Sequence, residues 1–145
     1  MSSPPRASVD GGAAASKPAS EAERAAPHVL LVEDDAAVRD ATRLLLKVEG
    51  YRVTAVASLA EGLRAVQVEG VPDLLLTDYY LRNGETGLTV LGALRAQLAA
   101  LPAVVMTGDP GPLTTQAAQD PRLRIAAKPL RRAPLLGAIE ELLPH

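Results

Sequence analysis

The chain has no cysteine, no phenylalanine and no tryptophan, and only three tyrosines and two histidines. Without cysteine there is no disulfide framework, no thiolate metal site and no thiol nucleophile, which fits a reducing compartment and makes a cytoplasmic location the expectation. A strong charge of one sign is also missing. With a formal net charge of -2, nothing electrostatic favours nucleic acid or an anionic membrane, so direct contact with either is not expected. No apolar run is long enough to cross a bilayer, and the N-terminus lacks the apolar core of a signal peptide. A glycine-rich phosphate cradle and a nucleophile-elbow serine are absent as well, which argues against a dinucleotide fold and a serine hydrolase. The two histidines, His28 and His145, sit at a strand start and at the end of the chain. Neither is placed for a metal site or a catalytic role.

What is present is a large supply of Ala, Val and Leu, which brings the apolar fraction to 48% in 145 residues. That length allows one domain with a real core. Residues 1–27 stand apart. They are rich in Ser, Pro, Ala and Gly, their charges cancel, and apart from Val9 they have no branched or aromatic side chain. Such a segment cannot offset the entropy of ordering, so a disordered tail or linker is expected there and a folded domain over residues 28–145.

The folded part is organised around Leu74-Leu75-Leu76-Thr77-Asp78, an apolar run that ends on a carboxylate and leads into a Gly-containing loop. It reads as a buried strand. Three further runs share this design: Val29 to Val32 ends on Glu33-Asp34-Asp35, Ala103 to Met106 on Thr107, and Leu123 to Ala127 on Lys128-Pro129. A fifth strand, Tyr51 to Ala55, alternates with less burial and belongs toward an edge.

Helical patterns lie between the strands. Asp34 or Asp35 can cap a first helix with Val38, Thr42, Leu45, Leu46 and Val48 at roughly helical spacing, ended by Gly50 in a left-handed conformation. Ser58 and Glu61 form a capping-box pattern for a second, which runs to Gly70 with Leu59, Leu63, Val66 and Ala60 inward. A third runs from Gly87 or Leu88 to Leu98 on Leu88, Leu91, Leu94 and Leu98. Pro112 opens a short polar fourth helix ending near Gln119. The last spans about 132–143 with Leu135, Leu136, Ile139 and Leu142 on one face. Strand and helix alternate five times, with connections long enough for crossovers, so the expected fold class is α/β, a parallel sheet between two layers of helices.

In such a sheet the carboxyl ends of all strands emerge on one edge. Carboxylates gathered there must either raise their pKa values or bind a cation, and oxygen donors without Cys or His favour Mg²⁺ or Mn²⁺ over zinc. Lys128 can pair with Asp78 and later with a phosphoryl oxygen, while Thr107 offers a hydroxyl. Together these groups suit phosphoryl transfer to a carboxylate nucleophile.

The acidic pair Glu33-Asp34, then Asp78, Thr107 and Lys128-Pro129, resembles the receiver domain of two-component response regulators over roughly residues 28–143. The resemblance implies a flavodoxin-like, doubly wound (βα)5 fold with strand order 2-1-3-4-5. It implies that Asp78 accepts a phosphoryl group from a phosphohistidine on a sensor histidine kinase or a histidine phosphotransfer protein. Asp34 would then bind Mg²⁺, with Glu33 direct or through water, Asp78 and the Tyr80 carbonyl as further ligands. Thr107 would shift toward the phosphoryl group and Lys128 would neutralise it. Asp35 is read as a cap or surface residue.

The family's usual aromatic switch position holds Ile125. The loop after Asp78 is a residue longer than in the commonest receivers, and Arg82 replaces the usual Pro. These features look similar to receivers at the C-terminal end of hybrid sensor histidine kinases. With no chain left for an effector, output is expected through altered protein binding or phosphate relay, and a homodimer stays open. The domain would catalyse its own phosphorylation and hydrolysis without being a conventional enzyme. The alternatives are a phosphorylation-independent scaffold and a small Mg²⁺-dependent phosphatase. The phosphatase would want a second Asp two residues past the nucleophile, where this chain has Tyr80.

Overall fold

Alternation along each strand sends side chains to opposite faces, and here both faces are apolar, as a sheet covered on two sides requires. In a computed structural model describing residues 26–144, five parallel strands form one sheet in the order β2-β1-β3-β4-β5. They are β1 (His28–Val32), β2 (Arg52–Val56), β3 (Leu74–Asp78), β4 (Ala103–Thr107) and β5 (Leu123–Ala127). The helices are α1 (Ala36–Val48), α2 (Leu59–Glu69), α3 (Gly87–Arg95), α4 (Thr114–Gln119) and α5 (Arg132–Leu142). The strand order is the expected one. Most of the tail expected to be disordered, and His145, lie outside the described residues.

Each face of the sheet has its own core. Leu30, Val32, Leu75 and Val105 pack with Val90, Leu91 and Leu94 of α3, with Leu59 and Leu63 of α2, and with Leu113 just before α4. On the other face Val29, Leu31, Leu74, Leu76, Val104 and Met106 pack with Leu46 of α1 and with Leu135 and Ile139 of α5. Burying each such side chain contributes about 1.5–3 kcal/mol, and the central strands β1 and β3 gain it on both faces.

Several boundaries differ from the sequence reading, each for a local reason. Tyr51 is outside β2 because its N–H closes the end of α1 on the Leu46 carbonyl at 3.1 Å. The ladder starts one residue later, where Arg52 N donates to the Pro27 carbonyl at 2.9 Å. Gly50 supplies the left-handed turn at φ +98°. Val48 points outward and is 75% exposed, because two residues past buried Leu46 is the opposite side of a helix. Ala60 is exposed for the same reason. Buried Gly62 instead lets α2 sit close to Leu30, Val32 and Val56.

Helix α3 stops at Arg95 rather than Leu98. Its last turn tightens, with Gln97 N bonding back to Leu94 O at 3.0 Å, and Arg95 Nε takes the Leu101 carbonyl at 2.9 Å. Leu98 still packs on the core. Pro112 falls in a 3-10 turn, Gly111–Leu113, that leads into α4, and buried Leu113 anchors that polar helix.

Candidate functional site

The register of the sheet assembles the site before any side chain is considered. Val32 lies beside Thr77, so Glu33 falls next to Asp78. Asp78 lies beside Met106 and Thr107 beside Ala127, so Thr107 and Lys128 follow in sequence across the same edge. Lys128 N also donates to the Thr107 carbonyl at 2.8 Å.

The side chains complete the arrangement. Lys128 Nζ lies 3.2 Å from Asp78 Oδ1 and 3.2 Å from Glu33 Oε1, so one ammonium bridges two carboxylates. Glu33, Asp34 and Asp78 each bring an oxygen within 4.8 Å of the others. Glu33 is 1% exposed, with Oε2 accepting Asp35 N–H at 3.2 Å and its carbonyl accepting Arg39 Nη1 at 2.9 Å. Burial and then the nearby Asp78 charge push the Glu33 carboxyl above its ordinary pKa, although Asp35 N–H and Lys128 pull the other way. Burial alone would lower Lys128, but the Asp78 and Glu33 charges outweigh it and hold its pKa above the usual lysine value. The cluster thus holds more carboxylate charge than Lys128 alone offsets.

The loop after β3 is braced. Tyr80 bridges to Thr86, Leu81 N donates to Glu85 O at 3.1 Å, and Gly84 takes φ +84°. The Tyr80 ring is exposed and meets Tyr79 edge-on with centroids 4.6 Å apart. Thr107 is buried, and its hydroxyl exchanges hydrogen bonds with Asp109, accepting its N–H at 3.1 Å and donating to its carbonyl at 3.3 Å. Asp35 caps α1 by accepting Val38 N–H at 3.0 Å. That bond holds its carboxyl below the ordinary carboxylate value. Ile125 packs on the α2–α3 face of the core as an ordinary apolar side chain.

The structure thus brings Glu33, Asp34, Asp78 and Lys128 into one cluster, with Thr107 on the adjoining strand end. His28 is far from it. At the start of β1 its ring bonds to Thr54 Oγ1 at 2.7 Å, a structural role. Three contributors escaped the sequence reading. The Glu33–Lys128 contact joins residues 95 positions apart, which no local pattern reports. Arg82 N–H donates to Asp34 Oδ2 at 2.6 Å. Gly87 opens α3 so close to β3 that a Cβ there would stand 2.7 Å from the Asp78 carbonyl oxygen. Its N–H donates to the Tyr79 carbonyl at 2.7 Å. The only sequence signal for that approach was a glycine at a helix start.

Comparison with known proteins agrees with this fold. The response regulator receiver domain family matches residues 29–140. The transcriptional regulatory protein GlrR of Escherichia coli is 32% identical over 118 residues, covering 80% of this chain and 26% of that protein. Among solved structures, chemotaxis protein CheY4 of Vibrio cholerae superimposes with a TM-score of 0.73 at 24% identity, over 82% of this chain and all of that one, a likeness of fold alone. The receiver domain of the hybrid histidine kinase CckA gives a TM-score of 0.65 at 27% identity, over 79% of this chain and 98% of that one. The chain spans about a quarter to a third of the length of the curated relatives it matches. These relatives are named transcriptional regulatory proteins, so the comparisons do not single out hybrid kinases. No helix among the described residues is long and apolar enough to cross a membrane. The parallel order 2-1-3-4-5, the acidic cluster at its carboxyl edge and the match over most of the chain lead to one assignment: the protein belongs to the response regulator receiver domain family.

Proposed function

We propose that Asp78 accepts a phosphoryl group from a phosphohistidine on a sensor histidine kinase or a histidine phosphotransfer protein. The observation that carries this reading is the Lys128 ammonium bridging Asp78 and Glu33 beside Asp34, at 3.2 Å from each of the first two. Three carboxylates, one of them buried, suit a hard divalent ion with oxygen ligands. Asp34, Asp78 and the Tyr80 carbonyl would hold Mg²⁺, with Glu33 bound directly or through water. When bound, the ion would offset the carboxylate charge and that of the phosphoryl oxygens.

The chain's own groups do the rest. An Asp78 carboxylate oxygen attacks phosphorus as the P–N bond breaks, and the electron pair stays on the departing imidazole nitrogen, which takes up a proton. Lys128 then exchanges its Asp78 contact for a phosphoryl oxygen. Thr107 reaches the same group only by releasing Asp109, so phosphorylation and the loop after β4 are linked. Ile125 has no aromatic ring to follow that movement. Output is through altered protein binding or phosphate relay.

Phosphoramidate, a small P–N donor, tests the reading in the presence of Mg²⁺. Intact-mass spectrometry should show one added, hydroxylamine-labile phosphoryl group in wild type and none in Asp78→Asn or with EDTA. A wild type that stays unlabelled at saturating donor and Mg²⁺ leaves the scaffold as the better account.

A further inference from the structure

Asp34 takes its hydrogen bond from a single residue 48 positions away, Arg82, whose backbone N–H reaches Oδ2 at 2.6 Å. The guanidinium of the same residue lies beside that oxygen, with Nε at 3.9 Å, although its side chain is 77% exposed. Asp34 Oδ1 receives no hydrogen bond among the described residues. The donor is held in place, because Leu81 immediately before it is buried and Leu81 N and O are both bonded within the loop, to Glu85 O and Gly84 N at 3.1 and 3.2 Å. One residue therefore acts on Asp34 in two opposed ways. The N–H is a charge-assisted donor that orients the carboxylate and leaves its second oxygen for a cation. The guanidinium is a positive charge standing where a divalent ion has to compete with it.

We propose that Arg82 is a positioning residue for the cation site, orienting Asp34 through its N–H while its side chain holds divalent-ion affinity down. This rests on the reading of Glu33, Asp34 and Asp78 as a Mg²⁺ site. The two actions separate by mutation. Arg82→Ala keeps the N–H and removes the charge, whereas Arg82→Pro removes both, since proline has no N–H to donate.

The test is calorimetric titration of Mg²⁺ into the metal-free full chain, with no phosphodonor present. Arg82→Ala should bind Mg²⁺ about two- to fivefold more tightly than wild type at low ionic strength, the scale expected of an exposed ion pair. The gain should shrink in 0.5 M salt, where the Debye length falls to about 4 Å. Arg82→Glu should bind more tightly still. Arg82→Pro should bind about tenfold more weakly than Arg82→Ala, the scale of a hydrogen bond to a charged group. Because proline also restricts the loop backbone, a second readout uses Arg82→Ala alone, by circular dichroism melting. The variant should melt below wild type in EDTA, where the arginine offsets acidic repulsion, and the deficit should narrow or reverse in saturating Mg²⁺.

Equal Mg²⁺ affinity in wild type and Arg82→Ala, with melting curves shifted equally by Mg²⁺, overturns the role of Arg82 and leaves the metal site standing. Wild type that takes up no Mg²⁺ at millimolar concentration overturns the site reading and this proposal with it.

Discussion

The two ends of the sheet solve opposite electrostatic problems. At the amino edge Asp73 and Asp120 both have donors: Asp73 Oδ2 accepts His28 N–H at 2.8 Å, and Asp120 Oδ2 accepts Arg95 Nη1 at 2.6 Å while Oδ1 accepts Arg122 N–H at 2.9 Å. Partial burial would raise the Asp120 carboxyl, but those donors outweigh it and its pKa lies below the ordinary value. At the carboxyl edge Glu33 and Asp78 share Lys128 with Asp34 beside them, and burial and repulsion hold Glu33 above its ordinary value. One end is matched and serves stability. The other is mismatched and suits the proposed chemistry, because a site that already satisfied its charges would gain little from a divalent ion or a phosphoryl group.

Four experiments break or sharpen this contrast. The largest effect is expected at the shared cation. Lys128→Ala should slow phosphoramidate labelling about 100-fold, the usual scale for losing one charge-stabilising group, as followed by intact mass against time.

Next is Gly87→Ala. Its Cβ would press on the Asp78 carbonyl oxygen at 2.7 Å and on Thr77 Cγ2 at 3.1 Å, so α3 must move off β3. A loss of about 1–3 kcal/mol in urea unfolding is expected, together with slower labelling.

Arg95→Ala attacks the matched end. It removes the Asp120 pair and the donor to the Leu101 carbonyl, for a loss of about 1–2 kcal/mol, while labelling per folded molecule stays at the wild-type rate. The depressed Asp120 pKa sets the pH dependence. Its contribution is present above the unfolded carboxylate pKa of about 4 and is lost as pH falls through the lower folded value, so melting curves of variant and wild type should draw together in acid.

The smallest effect has the opposite sign. A raised Glu33 pKa means that ionising this group costs the folded state. The associated stability is present in full below the unfolded pKa of about 4.3 and is lost as pH rises through the higher folded value. Glu33→Gln should therefore gain up to about 1 kcal/mol near neutral pH in EDTA, with the gain vanishing in acid. Thermal melts across pH check it.

Much of this contrast was legible in the sequence because it is written at strand ends. Each of four apolar runs stops at a residue that the parallel register then gathers, and chain order alone predicts the edge where Glu33, Asp78, Thr107 and Lys128 emerge. The capping roles of Asp35 and Ser58 were equally readable, since both act within three residues. What escaped depends on approach in space. Nothing near Asp34 announces Arg82. Nothing near Gly87 announces the Asp78 carbonyl. Periodicity also misassigned Val48, because a valine adds to an apolar count whichever side of the helix it faces.

Residue pairing across β1, β3, β4 and β5 has a further consequence. Because neighbouring positions on a strand face opposite sides, a slip of one residue in any of three pairings would send an acid or the lysine to the wrong side of the sheet. A chain that collapsed with near-native helix content but shifted strands would carry every necessary side chain and still be chemically silent. On the proposed chemistry, uptake of the label would report strand alignment to within one residue, a finer gauge of correct folding than spectroscopic helix content.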